Sequence, residues 1–360
     1  MSNIPKLRFP EFKGEWEEKR IDSIFDEKKE KNHPSEEVLT IIQGTGTVPR
    51  KESGRNIIFD EKSLSNYKFV QKDDFIIHLR SFEGGLEIAN SNGIVSPAYI
   101  IMHPKLSIAS KFYYSYFRSY KFINHVLPVS VEGVRDGRQI KYPILKEEKI
   151  PFTSFGEQQK IADFLSNVDS IITAETKILN TLQKKKKALM QKLFTQQLRF
   201  KSDDGKDFPA WEEKKLGECV ISISSGKNKK KNSAGNFPVY GSMGIIGYSE
   251  QYVYNKDCIL VARVGANAGT LHIAKGKYDV SDNTLIIELN ENELLSFYYF
   301  LLVNINLNKL NYGTGQPLVT SGMLKNIDIQ IPCKAEQQKI ADCLSSLDSL
   351  IQTQQKVVTT

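Results

Sequence analysis

The chain has 360 residues, enough for two or three domains with cores of their own. Its 40% hydrophobic and 25% charged residues are typical of a soluble globular protein, and no apolar run approaches the roughly 20 residues that span a bilayer. The four cysteines lack the spacing of zinc sites, so we expect a reduced cytoplasmic protein without structural metal. A net charge of +7 mildly favours a polyanionic partner.

The strongest pattern is an internal repeat with a period of about half the chain. The block EQQKIADFLSNVDSII at 157–172 returns as EQQKIADCLSSLDSLI at 336–351, with twelve of sixteen positions identical. Shorter similar segments occur in the same order in both halves. They pair Leu7-Arg8-Phe9 with Leu198-Arg199-Phe200, Trp16–Arg20 with Trp211–Lys215, Asp74–Arg80 with Asp257–Arg263, and Phe112–Tyr114 with Phe297–Tyr299. The chain is therefore predicted to be two copies of one unit, each a globular stretch followed by a helix.

The first globular stretch mixes strand-like runs with one aromatic helix. Strands are predicted at Phe75–Leu79 and Ile100–His103, where apolar runs are bounded by Gly, Asn, Asp or Pro, and a helix at Ile108–Asn124. Because the strands do not alternate regularly with long helices, the pattern favours an α+β domain with a curled sheet over a doubly wound parallel sheet.

An arginine follows the first of these strands and opens a glycine-rich loop, RSFEGG. The planar donors of arginine suit a base edge or a phosphate, and glycines let a backbone approach closely. Arg80, Ser81 and Gly84 are therefore candidate DNA contacts, with a structural salt bridge beside a tight turn as the alternative. A later loop adds Arg135 and Arg138, for which a plain turn is the alternative.

The first repeated block opens a heptad seam sustained for about five heptads. Its apolar positions are Ile161, Leu165, Val168, Ile172, Leu179, Leu182, Leu189 and Leu193, interrupted by Glu175 and Lys186. The seam predicts a helix at roughly 157–198, about 60 Å long. So narrow a stripe favours a two-helix coiled coil with the second copy over packing against its own globular domain.

The second globular stretch repeats these features. Strands are predicted at Ile259–Val261 and Thr284–Leu289 and a helix at Asn292–Asn308. Arg263 again leaves a strand into a glycine-rich loop, RVGANAG. The further candidate contacts are Asn267 in that loop, Lys227, Lys229 and Lys230 in a basic loop, and Gln316 in a later glycine-rich loop.

The second repeated helix carries the same seam at Ile340, Leu344, Leu347, Ile351 and Val358, interrupted by Gln354. It has only about 24 residues, so the first helix outruns it. We find no Walker A, HExxH, GxSxG or Asn-Pro-Pro-Tyr motif and no histidine cluster, so no catalytic residue, cofactor or metal is expected in this chain.

These features together resemble the specificity subunit of a type I restriction–modification system, over nearly the whole chain. The resemblance rests on LRFPEFKGEWEEKRI, IPFTSFGEQQKIADFLSNVDSII, LRFKSDDGKDFPAWEEKKLGE and IQIPCKAEQQKIADCLSSLDSLI. It implies two tandem α+β target recognition domains, at 1–152 and 199–332, each reading one half of a split double-stranded DNA site. It also implies conserved spacer helices at 153–198 and 333–360 that pair as an antiparallel coiled coil in a pseudo-two-fold repeat.

The resemblance further implies partners that carry the chemistry. Two methyltransferase (modification) subunits would methylate adenine with S-adenosylmethionine, and restriction subunits would cleave DNA with ATP and Mg²⁺. The helices would dock them through Leu165, Val168, Ile172, Leu179, Leu182, Ile340, Leu344, Leu347 and Ile351. Competing hypotheses are a stand-alone sequence-specific DNA-binding protein, a tandem-repeat coiled-coil scaffold that binds no nucleic acid, and an enzyme with an unrecognised site.

Overall fold

The computed structural model describes residues 4–54, 61–133, 138–228, 235–310 and 317–359. The chain divides into two compact units, Met1–Ile172 and Thr173–Thr360. One helix, Phe155–Phe194, runs through the division, so its first half belongs to the first unit and its second half to the second.

The first unit combines short helices with small antiparallel sheets. Its elements in chain order are β1 Glu17–Arg20, α1 Ile21–Ile24, β2 Phe25–Lys28, β3 Leu39–Ile42, β4 Gly46–Pro49, β5 Lys68–Val70, β6 Phe75–Ile77, α2 Ser81–Gly84, β7 Glu87–Ile88, β8 Gly93–Val95, β9 Ile100–Pro104, α3 Ser110–Phe117, β10 Val131–Glu132, β11 Gln139–Ile140, α4 Tyr142–Leu145, β12 Lys149–Phe152 and the start of α5 Phe155–Phe194. The main sheet has the strand order β2-β9-β6-β7. Aromatic side chains of α3 pack on it and form the core.

The second unit has the same kinds of element. They are β13 Glu212–Lys215, β14 Val220–Ser225, β15 Phe237–Gly241, β16 Gly244–Ser249, β17 Tyr254–Asn255, β18 Cys258–Ala262, β19 Leu271–Ala274, β20 Lys277–Val280, β21 Thr284–Leu289, α6 Leu295–Ile305, α7 Ser321–Lys325, β22 Asp328–Ile331 and α8 Lys334–Thr359. The main sheet has the order β14-β21-β18-β19, and a second sheet has the order β16-β15-β20-β17.

The two units share one topology. The main sheets β2-β9-β6-β7 and β14-β21-β18-β19 correspond strand for strand. The pair β1–β12 joins the beginning of the first unit to the segment before α5, with Glu17 opposite Phe152. The pair β13–β22 does the same before α8, with Glu212 opposite Ile331. The predicted α+β internal repeat is confirmed.

The predicted aromatic helices are real but shorter than expected. The first spans Ser110–Phe117 within the predicted 108–124, and the second spans Leu295–Ile305 within the predicted 292–308. Asn306 ends the second because it adopts a left-handed conformation with φ +60°, which an α-helix cannot continue. Aromatic content alone gave no signal for these ends.

The glutamate of each EQQKIAD block forms an ion pair that joins its helix to the distant LRF segment. In the first unit Arg8 Nε and Nη2 donate to the two carboxylate oxygens of Glu157 at 2.7 and 2.8 Å. In the second unit Arg199 holds Glu336 in the same bidentate way at 3.0 and 2.7 Å. Both glutamates are buried in the first turn of a helix, where the helix dipole also favours a carboxylate. We call each Arg–Glu pair a clasp.

The next residues of the block extend the clasp. The amide of Gln158 accepts from the N–H of Ala109, which caps α3, and donates to Thr153 O at 2.7 Å. Gln337 donates to Pro332 O at 3.0 Å in the corresponding place. The repeated Glu-Gln pair therefore anchors each helix to its own globular domain, which explains why this block is the best preserved part of the repeat.

The second half of α5 pairs with α8 in an antiparallel coiled coil. Gln354 donates to Glu175 O at 3.1 Å, and Lys186 forms an ion pair with Asp348. Residue numbers rise along α5 where those of the contacted residues in α8 fall, so the two helices run antiparallel. Two of the polar residues that interrupt the seams, Glu175 and Gln354, are thus partners of one another, as register-setting polar positions in coiled coils often are. The predicted pairing is confirmed, although α5 spans 155–194 and not 157–198.

Replacing Arg199 with alanine should lower the free energy of unfolding by about 2–3 kcal/mol. The change leaves Glu336 buried without its cation, a defect that costs about 3–5 kcal/mol in fully buried pairs, and Arg199 is itself 27% exposed. Urea and thermal unfolding measure the loss. Lys214→Ala is the control, because its exposed pair with Glu212 is expected to contribute only about 0–1 kcal/mol. Equal losses in the two variants would contradict a structural role for the clasp.

Replacing both Glu175 and Gln354 with leucine should raise the melting temperature while loosening the helix register, because a polar layer specifies alignment at a cost in stability. Cysteine pairs placed across the two helices measure register through the cross-links that they form. We expect one product in the parent chain and several in the double variant. Gln355→Leu, an exposed change one residue away, is the control and should leave a single product.

Candidate nucleic-acid interface

The predicted arginines of both units lie at equivalent edges of the main sheets. In the first unit β2 and β6 are both antiparallel to β9, so they run parallel and end at one edge. In the second unit β14 and β18 flank β21 in the same way. Arg80 follows β6, and Arg263 follows β18. The repeat therefore presents two corresponding edges that carry an arginine.

The segment around Arg80 differs from the predicted strand and loop. Strand β6 ends at Ile77, and Arg80 precedes the short helix α2. The turn forms because Ser81 Oγ accepts the N–H of His78 at 2.9 Å. Ser81 is fully buried by this contact, which argues against its prediction as a DNA contact. Arg80 is exposed.

The glycines of these loops are explained by packing within each domain. A side chain at Gly84 would overlap the amide of Gln43. Gly85, at φ +85°, lies against the carbonyl of Phe117, and Gly269, at φ +91°, lies against Leu307 and Asn308. In each unit a glycine with positive φ thus lets the loop pack against the backbone at the end of the aromatic helix or just beyond it. The prediction that Gly84 lets a DNA backbone approach is not needed to explain the residue.

Arg138 lies beside the Arg80 segment. Its guanidinium carbon is 4.3 Å from the ring centroid of Phe82 in α2, and the residue is exposed. Two of the predicted contacts that are 58 positions apart in the sequence (138 minus 80) thus share one surface. Arg135 lies outside the described residues. Arg118, which the sequence reasoning missed, is exposed at the end of α3, with its guanidinium carbon 5.0 Å from the Tyr114 ring.

Arg263 is more enclosed than Arg80. It is half-buried, Nη1 is 3.5 Å from Ser225 Oγ at the end of β14, and Nε is buried without a partner among the described residues. Lys227 follows that strand and is exposed. The backbone N–H of Gly265 donates to Pro317 O at 3.0 Å, so the chain just after position 316 reaches this loop.

The remaining candidates of the second unit are only partly described. Asn267 is half-buried in the turn after Arg263, and its carbonyl accepts from Thr270 N at 3.0 Å. Lys229, Lys230 and Gln316 lie outside the described residues. At the first edge burial lowers the pKa of His78, so that imidazole is neutral at pH 7 and the arginines supply the positive charge.

The residues predicted to dock partners fall into three groups. Leu179, Ile340 and Leu344 are buried, the last two in the core of the second unit. Leu165, Leu182, Leu347 and Ile351 are half-buried. Val168 is 37% and Ile172 48% exposed, in a stretch of α5 that also exposes Phe164 and Ile171. Only this last group offers a free apolar surface.

Neither a metal site nor a membrane-spanning helix occurs among the described residues. No group of three or more His, Cys, Asp or Glu side chains could hold a metal ion. In that same part of the chain, no helix combines the length and the apolar character needed to cross a membrane.

Two copies of one α+β fold, each ending in a helix and each carrying an arginine at the same edge, define a protein with two equivalent recognition surfaces. The sequence matches the type I restriction modification DNA specificity domain over residues 13–184 and 210–360. The chain therefore belongs to that family.

Individual relatives agree over most of the chain. It is 27% identical to the MjaVIII specificity subunit of Methanocaldococcus jannaschii over 325 residues, which are 80% of this chain and 75% of the relative. It is 25% identical to the putative MjaX specificity subunit of the same organism, covering 98% of this chain and 92% of that one. A crystal structure of the S subunit from M. genitalium has the same fold, with a TM-score of 0.66 at 19% identity over 99% of this chain and 95% of that one.

Arg80→Ala and Arg263→Ala should each weaken recognition of a different half of the DNA target. A lost arginine–base contact costs about 1–3 kcal/mol, or roughly 5- to 150-fold in affinity. Binding of the complete complex to duplexes altered in one half at a time measures the effect. Lys72→Ala is the control, because Lys72 is an exposed cation before β6, at the other end of that strand. If both arginine variants bind like Lys72→Ala, these arginines are not DNA contacts.

Proposed function

We propose that this chain is the DNA-recognition subunit of a type I restriction–modification system, and that each globular domain reads one half of a bipartite double-stranded site. One observation carries the proposal: the family match covers both halves, and both halves place an arginine after the corresponding strand of the same sheet. A duplicated reader suits a target in two parts. The specificity subunit is the recognition component of such systems and not their catalytic part.

The chemistry belongs to the partners in this proposal. Specificity subunits assemble with the other subunits of their systems. We expect two modification subunits that methylate adenine with S-adenosylmethionine, and restriction subunits that use ATP and Mg²⁺ for cleavage. The predicted absence of cofactors from this chain remains a prediction.

The exposed stretch of α5 supports the docking of modification subunits. Phe164, Val168, Ile171 and Ile172 are between 37% and 60% exposed, and apolar residues clustered at this density on one helix mark an interaction surface. The clasp at Glu157 fixes the start of this helix to the first domain. A partner that grips the helix would therefore be held at a set position relative to that domain.

The direct test is the mapping of methylated adenines in DNA. The chain is expressed with the modification subunit of its own system, and the methylated positions are sequenced. We expect methylation at one bipartite motif with the chain present, and none with either protein alone. Methylation at the same motif without the chain would overturn the proposal.

The alternatives predict different results in the same preparations. A stand-alone DNA-binding protein would bind its site without co-purifying with a methyltransferase subunit. A scaffold that binds no nucleic acid would show no salt-dependent DNA binding, whereas contacts to phosphates make binding fall steeply with salt. The family match over both halves favours neither alternative.

Val168→Asp combined with Ile172→Asp should abolish assembly with modification subunits while leaving the chain folded. Both side chains are exposed, so the charges cost the free chain little but would be buried without a partner in a complex. Gel filtration of the co-expressed proteins measures assembly. Asn167→Asp, which puts the same charge on an exposed neighbouring position, is the control. A normal complex from the double variant would place the docking surface elsewhere.

A further inference from the structure

Each recognition domain has a β-hairpin whose tip contacts the chain downstream of its strand-end arginine, at Gly84 in the first unit and at His272 in the second. In the first unit this hairpin is β3–β4, with the tip Gln43-Gly44-Thr45. In the second unit it is β15–β16, with the tip Ser242-Met243. Both hairpins follow the first strand of the main sheet, so they occupy the same position in the repeat. All five tip residues except Ser242 are exposed.

The first tip lies at the surface, but hydrogen bonds hold its backbone in place. The buried carboxylate of Glu87 accepts the N–H groups of Gly44 at 2.7 Å and Gly46 at 3.0 Å. Tyr114 OH donates to the same carboxylate at 2.8 Å, which ties the tip to α3. On the other side, Asn90 Nδ2 donates to Thr45 O at 2.8 Å. A turn with its backbone amides fixed from below can present its side chains in a set direction.

The first tip also lies next to the cationic edge. The amide of Gln43 packs against Gly84, four positions after Arg80. A Cβ built on Gly44 would lie 3.1 Å from Nη2 of Arg118. The first tip therefore contacts the segment that follows Arg80 and lies beside Arg118, and both arginines are exposed. Phosphate contacts position a protein, and an amide among them is suited to read a base.

The second tip is supported in a similar place but has different chemistry. His272, one residue into β19, lies beside Gly244, with Nε2 3.4 Å from Ser242 O. Met243 at the tip is 77% exposed, among the most exposed large apolar side chains of the chain. The supporting contacts differ, since a buried carboxylate holds the first tip and a histidine lies beside the second, and the presented side chain has changed from an amide to a thioether. That is the pattern expected of residues that discriminate between two different half-sites.

We propose that these hairpin tips read base pairs, with the Gln43 amide contacting adenine in one half-site and Met243 contacting a thymine methyl group in the other. Glutamine pairs with adenine through N6 and N7, and an apolar side chain in the major groove recognises the thymine C5-methyl group. The inference rests on the proposed function and assigns two specificity-determining residues within it.

Modified bases test the inference in the complete complex with its modification subunits. Duplexes carry the mapped target with 7-deazaadenine, which lacks N7, or with uracil, which lacks the methyl group, in one half-site at a time. We expect the parent complex to lose roughly fivefold or more in affinity at one 7-deazaadenine position, and Gln43→Ala to be insensitive to that change. Met243→Ala should likewise be insensitive to a uracil that weakens the parent in the other half-site.

Gln43→Arg should change the base that the complex prefers, because arginine favours guanine where glutamine favours adenine. Methylation mapping should show a changed base at one position of one half-site, with the other half-site unchanged as the internal control for folding. If the variants at Gln43 and Met243 respond to modified bases as the parent does, the hairpins are not readers. If the parent complex itself prefers no sequence, the proposed function fails, whatever the hairpins do.

Discussion

The buried arginine–glutamate clasp is the interaction on which the architecture of each unit depends. It joins three segments that are far apart in sequence: the LRF segment, the strand pair before the helix and the first turn of the helix itself. Arg8 also donates to Lys13 O, and Arg199 to Pro209 O. Each guanidinium therefore also binds a backbone carbonyl group in the segment that leads to β1 or β13. A bidentate pair has a fixed geometry, so it sets the direction in which the helix leaves its domain.

Acid conditions act on the first clasp in a defined direction. Burial raises the pKa of Glu157, but hydrogen bonds from Arg8 and Thr153 outweigh it, so the pKa of that carboxyl lies below its usual value. A carboxyl with a lowered folded-state pKa stabilises the fold fully above the pKa of the unfolded chain. That contribution is lost as the pH falls through the folded-state pKa. The first unit therefore holds its helix through the neutral range and releases this part of its stability only in acid.

The repeat and its helices could be predicted because their signals are local and occur twice. A block with twelve of sixteen identical positions, and a seam with a heptad period, need no knowledge of tertiary contacts. The role of Arg8 and Arg199 could not be predicted, although their LRF segments were visible, because an ion pair across 149 or 137 positions leaves no spacing pattern. For the same reason the burial of Ser81 and the packing of Gly84 against Gln43 could not be predicted, and the assignment of both residues as DNA contacts remains a prediction. Gln43 and Arg118 gave no repeated signal, since their counterparts in the second half are different residues.

The predictable residues differ from the unpredictable ones in whether their contacts hold the fold together. The clasp, the glutamine that donates to the backbone before its helix and the left-handed glycine serve the same fold twice, so the same residue types recur in both halves. Residues at the hairpin tips and at the edges of the main sheets contribute little to the stability of the fold. Arg80, Met243 and Gln43 are exposed, and a change there removes few buried contacts, which keeps its effect on stability small. The fold can therefore accept different side chains at these positions in its two copies. A reader of two different half-sites needs that freedom, and the scaffold supplies it because the side chains that vary are exposed, while a buried group such as Glu87 holds only the backbone beneath them.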